Sequence, residues 1–297
     1  MLRHEPPLPS KSKPRHRRLP RRKQLTIAIG IRGTDGMVMA ADTQVSTGGD
    51  LKGSQSKLLS FASHDADKPE AGSLAGICVV SGAGDSGYVQ ALTEELGFVF
   101  LDNPKLMTMR IGKNSTASLR SEFLKCLQHF YKQHVIPFAS FPARDRPEVE
   151  MLLGVYRHHI LAMFSTEKTT INHVSAYKAI GIGATFAELL LDRLWKSSSV
   201  NELEVLAAYV MFLVKESVEG CGKYTQIITI NGSKVIQSSK GAELQPPNPP
   251  MAYVPWNVID TWERSFRTDW AQSEHSLIWE LIGQYRRDLP STRGVKK

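Results

Sequence analysis

Thr26-Ile27-Ala28-Ile29-Gly30-Ile31-Arg32-Gly33-Thr34-Asp35-Gly36-Met37-Val38-Met39-Ala40-Ala41-Asp42-Thr43 is the stretch on which the fold turns. Ile27, Ile29 and Ile31 alternate with Thr26, Ala28 and Gly30, the period-2 signature of a strand. Gly33-Thr34-Asp35-Gly36 supplies turn chemistry, and Met37 to Ala41 runs apolar into Asp42. Two such runs around a short polar turn predict a hairpin. If its loop is symmetric, Thr26 lies opposite Thr43 and Ile27 opposite Asp42, which brings the start of the first strand within side-chain range of Asp42.

Beyond this hairpin, strands are predicted over Lys57 to Phe61 and Leu74 to Val80, the second ending in a small-residue turn, Ser81-Gly82-Ala83-Gly84-Asp85-Ser86-Gly87. The period then lengthens. Leu119, Phe123, Leu127, Phe130 and Tyr131 fall at helical spacing, and Tyr88 to Phe100 reads as a weaker helix. Strand-like runs return at Glu150 to Tyr156, at His159 to Phe164 and near Ile171 to Ile180, followed by helices over Ala184 to Trp195 and Asn201 to Val218. Tyr224 to Ile230 and Lys234 to Gln237 flank Asn231-Gly232, a hairpin turn signal. Local hairpins with segregated helix pairs give an α+β architecture with antiparallel sheets, not a doubly wound parallel sheet.

The chain has 297 residues, 41% of them hydrophobic and 22% charged, enough to build a sizeable core. Its net charge of +8 resides in residues 1 to 24, where three Lys and six Arg face only Glu5. The folded body is therefore neutral overall, and composition gives no case for polyanion binding outside the basic arm. Residues 1–25 read as a disordered basic leader, or as upstream sequence preceding a true start at Leu25. The main domain is expected over 26–238, a Pro-rich linker over 239–255 and an amphipathic helical extension over 256–297. No stretch approaches the roughly 18 apolar residues of a membrane span, so a cytoplasmic protein without membrane partners is expected. Cys78, Cys126 and Cys221 show neither a disulfide framework nor zinc-ligand spacing. Gly220-Cys221-Gly222-Lys223-Tyr224-Thr225 has Tyr224 where a phosphate loop needs Ser or Thr to bind magnesium, and Ser217 where its first glycine belongs; Gly181-Ile182-Gly183 lacks the third glycine of a dinucleotide fingerprint.

Thr26, the strand ending in Ala40-Ala41-Asp42-Thr43, Lys57 and the turn around Gly82 together resemble the proteasome β-type subunits, bacterial proteasome-like members of the N-terminal nucleophile (Ntn) hydrolases. Looser matches at Gly181-Ile182-Gly183-Ala184 and Glu219-Gly220-Cys221-Gly222 extend the resemblance over roughly residues 26 to 238. It implies a four-layer αββα sandwich with antiparallel sheets and a C-terminal helical extension. It also implies a threonine-type peptidase acting on peptides or unfolded protein. Thr26 would be nucleophile and, through a free α-amine, base; Lys57 would lower that amine's pKa, Asp42 would hold the lysine, and the Gly82 amide would face the oxyanion. A homo-oligomeric ring is implied as well, with no metal or organic cofactor. The chain departs from the family pattern at Ile182, where a Ser is usual, at Glu219, displaced by one position, and at Cys221, which replaces a Ser. A non-catalytic ring subunit whose nucleophile stays covered is the alternative, and a nucleic-acid-associated protein using the basic arm is a third.

Overall fold

The computed structural model describes residues 26–46, 52–64, 74–103, 115–142, 146–157, 160–231, 251–268 and 278–282. In chain order the elements are β1 (Ile27–Arg32), β2 (Gly36–Asp42), β3 (Gln44–Ser46), β4 (Lys52–Ser54), β5 (Leu58–His64) and β6 (Leu74–Gly84), then helices α1 (Ser86–Asp102) and α2 (Ser115–His134). There follow β7 (Val149–Arg157), β8 (Ile160–Glu167), β9 (Thr170–His173), β10 (Tyr177–Gly181), α3 (Ala184–Leu194), α4 (Val200–Ser217), β11 (Thr225–Asn231), β12 (Met251–Tyr253) and α5 (Trp256–Thr268). The fold is α+β, and its two five-stranded sheets run β10-β1-β2-β11-β12 and β5-β6-β7-β8-β9. All the strand pairs in both are antiparallel.

The opening hairpin folds in the register that its symmetric loop predicts, with Ala28 opposite Ala41 and Gly30 opposite Met39. Its turn also anchors a helix. The Asp35 carboxylate accepts from the Val200 N–H at 2.8 Å, and the Thr34 N–H donates to Ser198 O at 2.9 Å, so the tip of the hairpin holds the start of α4.

Large and small residues on β1 divide its two faces. Ile27, Ile29 and Ile31 join an apolar cluster with Leu191, Leu206, Val210 and Trp262 from the helices. On the opposite face Ala28 joins Met37, Met39, Ile77, Val79 and Leu152 in a cluster drawn from both sheets. A third cluster places Val80, Met151, Leu153 and Phe164 against Leu92, Leu96, Phe123 and Phe130 of α1 and α2. The small side chains matter for the middle cluster, because a Cβ on Gly30 would lie 2.5 Å from Met163 Sδ.

Three expectations need correction. The run through Ser81, Gly82 and Ala83 is not a turn: β6 continues to Gly84, held by pairing with β7 as far as Gly84 opposite Val149, and α1 starts at Ser86. Lys57 lies just before β5 and not within it. The Pro-rich segment read as linker up to Pro255 contains β12, which pairs with β11 through Thr229 opposite Ala252. Lys234 to Gln237, expected as the partner of that strand, lie outside the described residues, as do the leader, His158, His159 and most of the linker.

The C-terminal helix α5 packs on the same body. Ile259, Trp262 and Phe266 are buried in the cluster under α3 and α4, together with Ile278 and Ile282 from helical residues 278–282. Trp279 adds a hydrogen bond from its indole N–H to Leu194 O at 2.7 Å, and Lys196 sits 4.0 Å over its ring. Because Trp262 is only 2% exposed, Trp262→Ala is expected to destabilise the whole domain by about 3–5 kcal/mol, measured by urea unfolding. A loss below about 1 kcal/mol would show that the extension is not part of the cooperative core.

Candidate active site

The ends of β1 and β2 and the start of β5 bring three side chains to one point. The Lys57 ammonium donates to Asp42 Oδ1 at 2.7 Å and to Thr26 Oγ1 at 2.9 Å. Asp42 is held in turn by two backbone amides. The Ile27 N–H donates to Oδ1 at 3.2 Å and the Gly222 N–H to Oδ2 at 3.1 Å. The carboxylate thus spends its acceptor capacity on one cation and two main-chain donors, which fixes its orientation.

The pair is well buried, with side-chain exposures of 8% for Lys57 and 0% for Asp42. Burial pulls the lysine's pKa below its usual value, while the Asp42 charge and hydrogen bond oppose that shift. The Lys57 backbone is fixed separately, its N–H donating to Gln226 Oε1 at 2.9 Å, and Gln226 Nε2 donates onward to Ser56 Oγ at 3.0 Å.

On the other side of Thr26, its carbonyl oxygen accepts from the Ile182 N–H at 2.9 Å. Gly181 makes this contact possible. Its φ is +90°, and a Cβ there would stand 2.2 Å from Thr26 O, so glycine is required by both conformation and space. Gly183 next to it faces Ile27 and Cys221 closely. Of the two glycines, Gly181 serves backbone approach to Thr26 and Gly183 serves close packing against Val214 and Ile27.

Gly82 lies opposite Met151 on β7, and extending the β5–β6 register past Leu58 opposite Ser81 sets it level with Lys57. Asp85 N donates to Glu148 O, so the N–H groups of odd-numbered residues at this end of β6 face β7; Gly82 N–H points the other way, toward Lys57 just before β5. Its neighbour Ser81 has a buried hydroxyl with no hydrogen-bond partner among the described residues.

The positions that depart from the expected pattern separate in space. Ile182 is half exposed and Glu219 is exposed. Cys221 is buried, its thiol close enough to Asp42 and Lys57 to feel both charges. Burial and the Asp42 charge push its pKa up to about 12, so it is a neutral thiol and not a competing nucleophile near pH 7. Two contributors were not foreseen from sequence, the Gly222 amide and Gln226. Neither has a local signal, because their partners Asp42 and Lys57 lie 180 and 169 positions away in sequence. Among the described residues there is no group of three or more His, Cys, Asp or Glu arranged to hold a metal, and no helix long and apolar enough to cross a membrane.

No protein-family model and no curated protein matches the chain. Solved structures do match in fold. Anbu (ancestral beta-subunit) from Yersinia bercovieri superposes with a TM-score of 0.60 at 14% identity, covering 92% of this chain and 100% of its own. The Anbu complex from Pseudomonas aeruginosa, solved as a helical assembly, gives 0.58 at 15% identity over 92% and 100%. Anbu from Hyphomicrobium sp. strain MC1 gives 0.57 at 12% identity over 90% and 99%. At these identities the likeness is one of fold. It corrects the resemblance drawn from the opening motif: the structural counterparts are Anbu proteins, and no family match ties the chain to the proteasome β-type subunits. A motif of a few residues in the opening strands is too small a share of the chain to assign a family.

Asp42→Asn removes the charge that counters the burial of Lys57. The lysine's pKa is expected to fall further, read by NMR titration of its ammonium, and stability to drop by about 3–5 kcal/mol in urea unfolding. An unchanged lysine titration would show that the pair is not coupled.

Proposed function

We propose that this chain is a threonine-type peptidase of the N-terminal nucleophile kind, working once Thr26 has become its first residue. The observation that carries the reading is the single ammonium of Lys57 held 2.9 Å from Thr26 Oγ1 and 2.7 Å from Asp42. A threonine hydroxyl needs a base with a pKa near neutral, and an α-amine, at about 8 in its reference state, meets that need in the same residue. The Lys57 charge beside it lowers the amine's pKa and stabilises the alkoxide that forms.

In the reaction, the Thr26 amine takes the hydroxyl proton as Oγ1 attacks the scissile carbonyl. The oxyanion meets the Gly82 N–H, the leaving amine receives the proton, and an ester remains on Oγ1. Water, deprotonated by the freed α-amine, attacks that ester and releases the acid, restoring the hydroxyl. No metal or organic cofactor enters this scheme. Within the full chain the Thr26 nitrogen is an amide and cannot serve as base, so residues 1–25 must be absent from the working enzyme.

The three apolar clusters support assigning the four-layer αββα stacking to this chain, with the described residues of 26–231 and of the C-terminal extension sharing their packing. Peptides or unfolded protein are the substrates that this chemistry fits. The fold likeness to Anbu proteins, one of them solved as a helical assembly, supports a proteasome-related oligomer, and the rotation between neighbouring copies decides between a closed ring and an open helix. A cytoplasmic setting fits the three free cysteines.

Intact mass of protein from its native host is expected to show a chain beginning at Thr26. That chain should hydrolyse peptide amides; Thr26→Ala should abolish turnover, and Lys57→Met should lower kcat by about 10²–10⁴. A native chain that retains residues 1–25 points to the non-catalytic subunit instead, and turnover unaffected by Thr26→Ala removes the proposed nucleophile.

A further inference from the structure

The loop of residues 218–224, which brings the Gly222 amide to Asp42, is braced by α5. Glu263, on α5, accepts through one carboxylate oxygen from the Lys215 ammonium at 2.6 Å and from the Thr225 hydroxyl at 2.8 Å. Both partners bracket the loop: Lys215 is in the last turn of α4 and Thr225 begins β11, directly opposite Asp42. The same Lys215 ammonium donates to Lys223 O at 3.3 Å, within the loop itself. The Glu263–Lys215 pair is nearly as sheltered as the one at the site, with side-chain exposures of 14% and 8%.

The loop needs holding. Gly220 has φ +97° and Lys223 φ +61°, so two of its residues are in the left-handed region, the second without glycine's freedom. From the inner side it is tied by Gln44 Nε2 to Gly220 O at 3.0 Å and by the Tyr224 N–H to Thr43 Oγ1 at 3.1 Å. From the outer side, Lys215 and Thr225 on the two flanks of the loop converge on Glu263. If the carboxylate is lost, Lys215 keeps only its weak contact with Lys223 O, Thr225 loses its acceptor, and the amide that orients Asp42 is freed to move.

We infer that Glu263 is a positioning residue for the Asp42–Lys57 pair, acting through Lys215 and the 218–224 loop, so that docking of the C-terminal helix sets the geometry of the site. This rests on the peptidase reading for its effect on rate, and on geometry alone for its effect on the loop.

Cys221 provides the test, because it lies in the loop and is 6% exposed. In a Cys126→Ser background, with Cys78 fully buried, thiol labelling of the native protein by dithiobis(nitrobenzoate) reports opening of the loop. Glu263→Ala and Lys215→Met are each expected to speed Cys221 labelling at least about tenfold, measured where both variants are fully folded by urea titration. Glu263→Gln, which keeps the acceptor oxygen, should stay within about threefold of the wild type. Trp279→Ala, which loosens the extension at Leu194 away from the loop, should leave labelling unchanged. In the chain starting at Thr26, Glu263→Ala should lower kcat about tenfold with KM unchanged, and Glu263→Gln should recover most of it. Labelling that is the same in Glu263→Ala and wild type, or equally fast in Trp279→Ala, overturns the inference. If the wild-type chain starting at Thr26 hydrolyses nothing, the peptidase reading fails by itself, and the labelling series still decides the brace.

Discussion

A lysine ammonium shared between a hydroxyl and a carboxylate is the constraint around which this molecule is organised. Removing Lys57 and Asp42 from water costs several kcal/mol per ion, and their attraction offsets that cost only when the remaining polar sites are filled. Here Thr26 Oγ1 accepts from the lysine and the Ile27 and Gly222 amides donate to the carboxylate, so that four separate parts of the chain meet. Thr26 precedes β1, Asp42 ends β2, Lys57 precedes β5, and Gly222 lies in the loop before β11. The pair therefore joins one sheet to the other, since β2 and β5 belong to different sheets.

Glycine positions show how the backbone meets this demand. Gly181 lets the end of β10 pass close to the Thr26 carbonyl, and Gly222 lets the 218–224 loop approach Gln44 while presenting its amide to Asp42. Neither serves a phosphate. Neighbouring Cys221 is a small buried group whose thiol stays protonated in this setting, so it fills space beside the ion pair without adding a third charge.

Much of this was legible locally. Alternation from Ile27 to Ile31, the Gly33 to Gly36 turn and the run into Asp42 specify the hairpin with its register, because a one-residue slip would turn Ile27, Ile29 and Ile31 away from the helices. Helical spacing over Leu119 to Tyr131 marked α2 for the same reason. What was misread depended on partners far along the chain. Ser81, Gly82 and Ala83 have turn composition, yet β7 supplies a ladder that outweighs it. Met251 to Tyr253 sit among prolines, yet the edge of β11 accepts them. The Gly222 contact with Asp42 spans 180 positions and the Glu263 contact with Thr225 spans 38, distances at which neither periodicity nor turn chemistry carries information. The opening motif, finally, covers too few residues to tell the proteasome β-type subunits from the Anbu proteins that match this chain in fold.

The catalytic claim reduces to where an acyl group becomes attached. A chain beginning at Thr26, mixed with a peptide substrate and quenched in acid during the first turnover, should carry the acyl fragment as a hydroxylamine-labile ester on residue 26. An acyl group found on Cys221 or any other side chain, or products formed with no ester on Thr26 at any time, would contradict the role given to the Lys57-bound hydroxyl.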